Sequence, residues 1–196
     1  MKQFINLNTI KKDKIIFDKP GKYVVFLHNL SGKITVELNV PNVDVDIFGL
    51  FVGKSAVNFK IETVQHHKAP LTTSNLFIKG VFDDQSRFNY QGLIRIEKHA
   101  QKSHAYQKNQ NLILSSGVFV ESKPFLEILA NDVFCTHGST TGRLNNEDLF
   151  YIRSRGFSEQ SARDLLVTGF IEDVFDKISR AGYPKEVLNL RNAKYN

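Results

Sequence analysis

Cysteine occurs once in these 196 residues, at Cys135, and tryptophan does not occur at all. A lone cysteine excludes any intrachain disulfide, so nothing in the chain asks for an oxidising compartment. No apolar run approaches the ~20 residues that a membrane-spanning helix needs. The opening Met1-Lys2-Gln3-Phe4-Ile5-Asn6 lacks the apolar block of a secretory signal. The expectation is a soluble, cytoplasmic protein with no membrane contact. A short exact repeat is also missing, which argues against a highly regular solenoid.

What is present is ordinary globular material: 41% hydrophobic residues, including 16 Phe, and a net charge of +6. The length allows one domain with a real core, with room for a small appendage. The Lys and Arg residues are spread along the chain, and no run of them interleaves with exposed aromatics. That diffuse pattern is not the footprint of a nucleic-acid binder, and no nucleic-acid partner is expected.

Short segments with strand character fill the chain as far as His137: 22–28, 33–38, 43–48, 56–63, 76–81, 91–96, 111–114, 124–129 and 132–137. Several alternate apolar with polar residues, as in Lys33-Ile34-Thr35-Val36-Glu37-Leu38. Turn residues separate them, among them Pro20-Gly21, Pro41-Asn42 and Asp83-Asp84. Alternation by itself fits a sandwich, a barrel or a β-solenoid equally.

The period changes after Gly142. Asn145 or Asn146 is a suitable N-cap, Glu147 and Asp148 follow in the first turn, Arg153 and Arg155 fall in the last, and Gly156 marks the stop. A second helix is expected from Ser158, with Ala162, Leu165, Leu166, Phe170, Val174 and Ile178 as its apolar stripe. It should end before Ala181-Gly182-Tyr183-Pro184, with a short basic tail beyond. The chain thus divides into a β core over 1–143 and a C-terminal helical segment over 144–196.

Gly49-Leu-Phe-Val-Gly53-Lys54-Ser55 resembles a phosphate-binding loop but has three residues between its glycines where four are needed, and no helix follows. His66-His67 reads as a solvated loop pair, and His99 and His104 as surface-turn residues. His28, at the end of an apolar strand, reads as structural. No nucleophile and base, or paired carboxylates, stand out, so no enzymatic activity is expected.

Cys135 and His137 are spaced to leave the same face of a strand. Cys135 reads equally as a small core residue or as a metal ligand. As ligands the two are half a site, because zinc takes four N or S donors and clusters are usually held by four thiolates. A two-fold dimer, or a partner bringing further donors, would complete the set.

The ordered elements Val64-Gln65-His66-His67, Ser86-Arg87-Phe88-Asn89-Tyr90-Gln91-Gly92, Asn111-Leu112-Ile113-Leu114, Pro124-Phe125-Leu126-Glu127-Ile128 and Asp132-Val133-Phe134-Cys135-Thr136-His137-Gly138 through Arg155-Gly156 resemble the SufB/SufD family. That resemblance implies a mainly β fold, a right-handed parallel β-helix (β-solenoid) followed by a small α-helical segment. It also implies a non-enzymatic subunit of iron–sulfur cluster assembly that handles a transient cluster or iron through Cys135 and His137. The implied partners are a second copy or a SufB-like subunit, and a SufC-like ABC ATPase docked on Phe150, Tyr151, Arg153, Arg155, Gly156 and Phe170. Where the SufB branch carries a thiol, this chain reads Gln107-Lys108-Asn109-Gln110-Asn111, so it is SufD-like. The alternative is an interaction module that has lost cluster chemistry.

Overall fold

Residues that alternate along an extended backbone put one row inward and the next outward. In the computed structural model, which describes residues 3–180, eleven strands coil into a parallel β-solenoid followed by helices. One sheet stacks β1 (Gln3–Asn6), β3 (Gly21–His28), β5 (Val43–Gly53), β7 (Thr73–Phe82), β9 (His104–Ile113) and β11 (Phe134–Arg143) in that order. The facing sheet stacks β2 (Lys14–Phe17), β4 (Gly32–Leu38), β6 (Asn58–His67), β8 (Arg87–Ile96) and β10 (Phe119–Ile128). A short helix, α1 (Leu7–Ile10), links β1 to β2.

The irregular rungs explain the missing repeat. Gln3 lies opposite Tyr23 but Ser74 lies opposite Ala105, so one turn of the coil takes 20 residues early and 31 later. Corners absorb the difference through left-handed residues such as Asn42, Ser55, Leu71, Asp84 and Lys102. Inward rows from the two sheets fill the core with Val25, Leu27, Val36, Leu38, Ile47, Phe51, Ile61, Phe82 and Phe88.

Several strands run longer than their sequence signal. The segment at 111–114 overlaps only the end of β9, which runs from His104 to Ile113 and so takes His104 out of the expected surface turn. Its inward side chains Gln107, Asn109 and Asn111 are buried but polar, and the apolar alternation that marks a strand is lost there. Similarly, the segment at 132–137 only overlaps β11, which starts at Phe134 and continues to Arg143. β1 and β2 are four-residue strands, too short to signal themselves.

Two longer helices follow. α2 (Asn146–Arg153) is capped by Asn145, whose side chain accepts from the Glu147 N–H at 2.8 Å. It ends at Arg153, so Arg155 lies beyond it, and Gly156 takes φ +91°. α3 (Glu159–Arg180) lies on the outer face of the first sheet. Its Val167, Ile171, Val174, Phe175 and Ile178 pack against Val24, Phe26, Phe48, Leu50, Phe77, Val81 and Leu112. Burying each such side chain contributes about 1.5–3 kcal/mol. This stripe is rotated from the expected one: Leu165 is exposed, because Val167 and Ile171 face the sheet. The expected stop at 181–184 and the basic tail lie outside the described residues.

Candidate Cys-x-His site

The parallel register sets each inward residue of β11 over its counterpart in β9. Cys135 lies over Ala105, His137 over Gln107, Ser139 over Asn109 and Thr141 over Asn111. In β5 the corresponding inward positions begin with Val45 and Ile47, which precede Ser74 and Leu76 of β7. The inner wall therefore changes from aliphatic to amide and then to a thiol, imidazole and hydroxyl row. β11 is the edge strand of its sheet and β10 that of the other, so this last row stands at an open end.

Cys135 is half-buried against Ile94, Ile96, Ala100, Ala105 and Ala130. Burial there pushes its thiol up to about 11, so it is protonated at neutral pH. A thiolate at this position requires a bound metal or another source of positive charge. The His137 side chain is exposed and makes no hydrogen bond among the described residues. The fold thus brings a thiol and an imidazole onto one face but into unlike surroundings.

Below and beside them is a buried polar layer. Asn109 and Asn111 pair their amides, with Asn111 donating to the Asn109 oxygen at 2.6 Å and to Thr141 Oγ1 at 3.3 Å. Gln107 Nε2 donates to the Gly92 carbonyl at 3.3 Å. That contact fits only because Gly92 has no side chain: a Cβ there would lie 2.3 Å from Tyr90 Oη and 2.4 Å from Gln107 Nε2. Ser139 Oγ and Ser122 Oγ bridge β11 and β10 at 2.9 Å. The period-two order Gln107-x-Asn109-x-Asn111 is the signal that a search for apolar alternation passes over.

The remaining histidines do not join this site. His66 and His67 lie in β6 and not in a solvated loop, on its opposite faces. His66 Nε2 is 2.8 Å from the Glu97 carboxylate on the outer face. His67 is fully buried between Thr72 Oγ1 and Ser74 Oγ, each at 2.7 Å. Alternation is hidden here because the buried partners are hydroxyls. Among the described residues, no three His, Cys, Asp or Glu side chains are grouped to hold a metal ion. Cys135 and His137 therefore offer two donors, short of a full ligand set, among the described residues of one chain.

The expected docking residues fall into two groups. Phe150 and Tyr151 are exposed on α2, and the Arg155 guanidinium lies over the Tyr151 ring at 4.5 Å. Arg153 pairs with Glu159 at 3.4 Å, next to the Gly156 bend. Phe170, by contrast, is half-buried, and Lys79 Nζ sits 4.2 Å from its ring centroid. No described helix is long and apolar enough to cross a membrane.

A parallel β-solenoid with C-terminal helices, carrying a Cys-x-His pair on its last, open-edged strand, is the class of protein that these features define. Residues 9–170 match the SufBD core domain of the SUF system for FeS cluster assembly. The chain belongs to the SufBD family. It is similar to the iron–sulfur cluster assembly protein SufD of Escherichia coli, 32% identical over 84% of this chain and 38% of that protein. A SufBD family protein of Mycobacterium leprae is 32% identical over 81% of this chain and 45% of that protein. The chain spans less than half the length of these curated relatives.

Proposed function

We propose that this protein is a SufD-like, non-catalytic subunit of iron–sulfur cluster assembly. Cys135 and His137 would supply ligands to iron or a nascent cluster, which is cargo and not a resident group. The observation that carries this reading is the placement of a thiol and an imidazole on one face of an open-edged strand with half a ligand set. A second copy or a SufB-like subunit meeting β10 and β11 would complete the coordination. Phe125, Leu126, Leu129 and Phe134 are exposed at that end and suit such a contact. The exposed aromatics of α2, with Arg153, Arg155 and Gly156 beside them and Phe170 on α3, would receive a SufC-like ATPase. A cytoplasmic location fits this role.

The test is anaerobic iron loading of wild-type and Cys135→Ser protein with mass measured by light scattering. Dimeric wild type that takes up iron, beside a mutant that does not, supports the reading. Normal uptake by the mutant refutes the ligand role. A second reading, an interaction module without cluster chemistry, is favoured by the apolar surroundings of Cys135. A dimer that binds no iron would select it.

A further inference from the structure

Gln107 is a buried amide whose oxygen makes no hydrogen bond. Its Nε2 donates to the Gly92 carbonyl, which settles the orientation of the amide, because the reverse would set two oxygens against each other. Oε1 is then left buried with no hydrogen-bond partner. Only 1% of Gln107 is exposed, so bulk water does not satisfy that oxygen. Buried acceptors without a partner are uncommon in native proteins and point to a role.

The register supplies a candidate donor. Gln107 is the cross-strand neighbour of His137, and adjacent strands lie about 4.8 Å apart with paired side chains on one face. His137 is exposed and unpaired, so its ring is free to turn about its own torsions. Histidines that bind metals almost always give their second N–H to a carbonyl or carboxylate, which fixes the tautomer. A buried carbonyl oxygen on the cross-strand neighbour of the one imidazole of the open row has the chemistry for that task.

We propose that Gln107 is a positioning residue for His137: its Oε1 accepts one ring N–H and thereby fixes which nitrogen is left bare to meet a metal ion. The metal half of this inference rests on the ligand role proposed above; the hydrogen bond does not. Gln65 provides a rival partner for the same oxygen. Its Oε1 accepts from Ser74 at 2.8 Å, while its Nε2 is buried without a partner. If the two glutamines satisfy each other, His137 is left without an orienting group.

The tautomer of His137 decides between them. Metal-free protein labelled with ¹⁵N at its histidines is measured at mildly alkaline pH, with the His137 signals assigned by their loss in His137→Ala. Wild type should show one protonated and one bare ring nitrogen. Gln107→Met should draw the two toward an averaged shift. Gln107→Glu should restore the difference, since burial favours the neutral acid, whose hydroxyl donates to Gly92 and whose carbonyl accepts from the ring. Gln65→Met should leave His137 unchanged.

A wild-type His137 that already averages its tautomers overturns the proposal, as does a folded Gln107→Met protein with an unchanged signal. A response to Gln65→Met in place of Gln107→Met does the same. Cobalt(II) titration of these proteins then reads the metal half. Affinity should fall about 10–100-fold in Gln107→Met and recover in Gln107→Glu. A tautomer that responds while cobalt affinity stays constant refutes positioning for metal. A tautomer that responds in a wild type that binds no cobalt keeps the hydrogen bond and removes the ligand role.

Discussion

Lys79 Nζ lies 2.9 Å from Asp173 Oδ2, and the same ammonium donates to the Phe170 carbonyl at 2.7 Å. One nearly buried cation on β7 thus ties α3 to the solenoid. Burial lowers the pKa of Lys79, and the Asp173 carboxylate opposes that effect. Asp173→Ala should cost about 1–3 kcal/mol, less than for a fully buried pair because the carboxylate is half-exposed. Lys79→Met should cost less, since a thioether chain still packs between Phe77 and Phe170 without an unpaired charge. Urea unfolding of both variants and the double mutant checks this order. A Lys79→Met protein less stable than Asp173→Ala contradicts it.

Cys135 should be slow to alkylate. With its pKa pushed up to about 11, against an ordinary value of 9.0, only a small fraction is thiolate at pH 7. Burial on that scale lowers the thiolate population roughly 100-fold. The rate with iodoacetamide should rise about tenfold with each step of one in pH until the pH approaches 11. A rate at pH 7 equal to that of a small free thiol would show that the apolar surroundings do not suppress ionisation.

His67 makes stability depend on pH. Burial, with a smaller contribution from His66, lowers its pKa from 6.5 to about 4. Between those values the unfolded chain binds a proton that the native state refuses, so stability is present above 6.5 and lost as pH falls toward 4. The loss should reach about 3 kcal/mol at the acidic end. Urea midpoints from pH 7 to 4.5 should fall in wild type and fall less in His67→Gln. Parallel slopes would assign the acid sensitivity to other groups.

The exposed aromatics of α2 should be separable from stability. Phe150 is 75% exposed, and no residue of α2 is buried. Phe150→Asp with Tyr151→Ser should change unfolding free energy by about 0.5 kcal/mol or less. With the docking role proposed above, pull-down with a SufC-like ATPase should recover wild type and not this double variant. Retained binding would move the docking surface elsewhere.

The strand-to-helix order and the Cys-x-His pair are legible in the sequence because they rest on local signals: alternation, cap residues and a two-residue spacing. The polar interior is not. Gln107, Asn109, Asn111 and His67 stand at inward positions where pattern reading expects apolar side chains, and their burial depends on partners on other strands, such as Gly92 and Ser74. The buried face of α3 differs from its sequence reading by part of a turn for a related reason. Its apolar residues exceed what one face can bury, and only the sheet beneath selects Val167 over Leu165.

α3 clamps apolar residues of β3, β5, β7 and β9, while none of its core partners lies on β10 or β11. Amide exchange should consequently be graded: slow and concerted beneath the helix, and fast at the strand that bears Cys135 and His137. Local opening there requires no disruption of the clamped rungs. The end proposed to take cargo and a partner is thereby free to rearrange at little energetic cost, while the body of the coil stays a rigid mount.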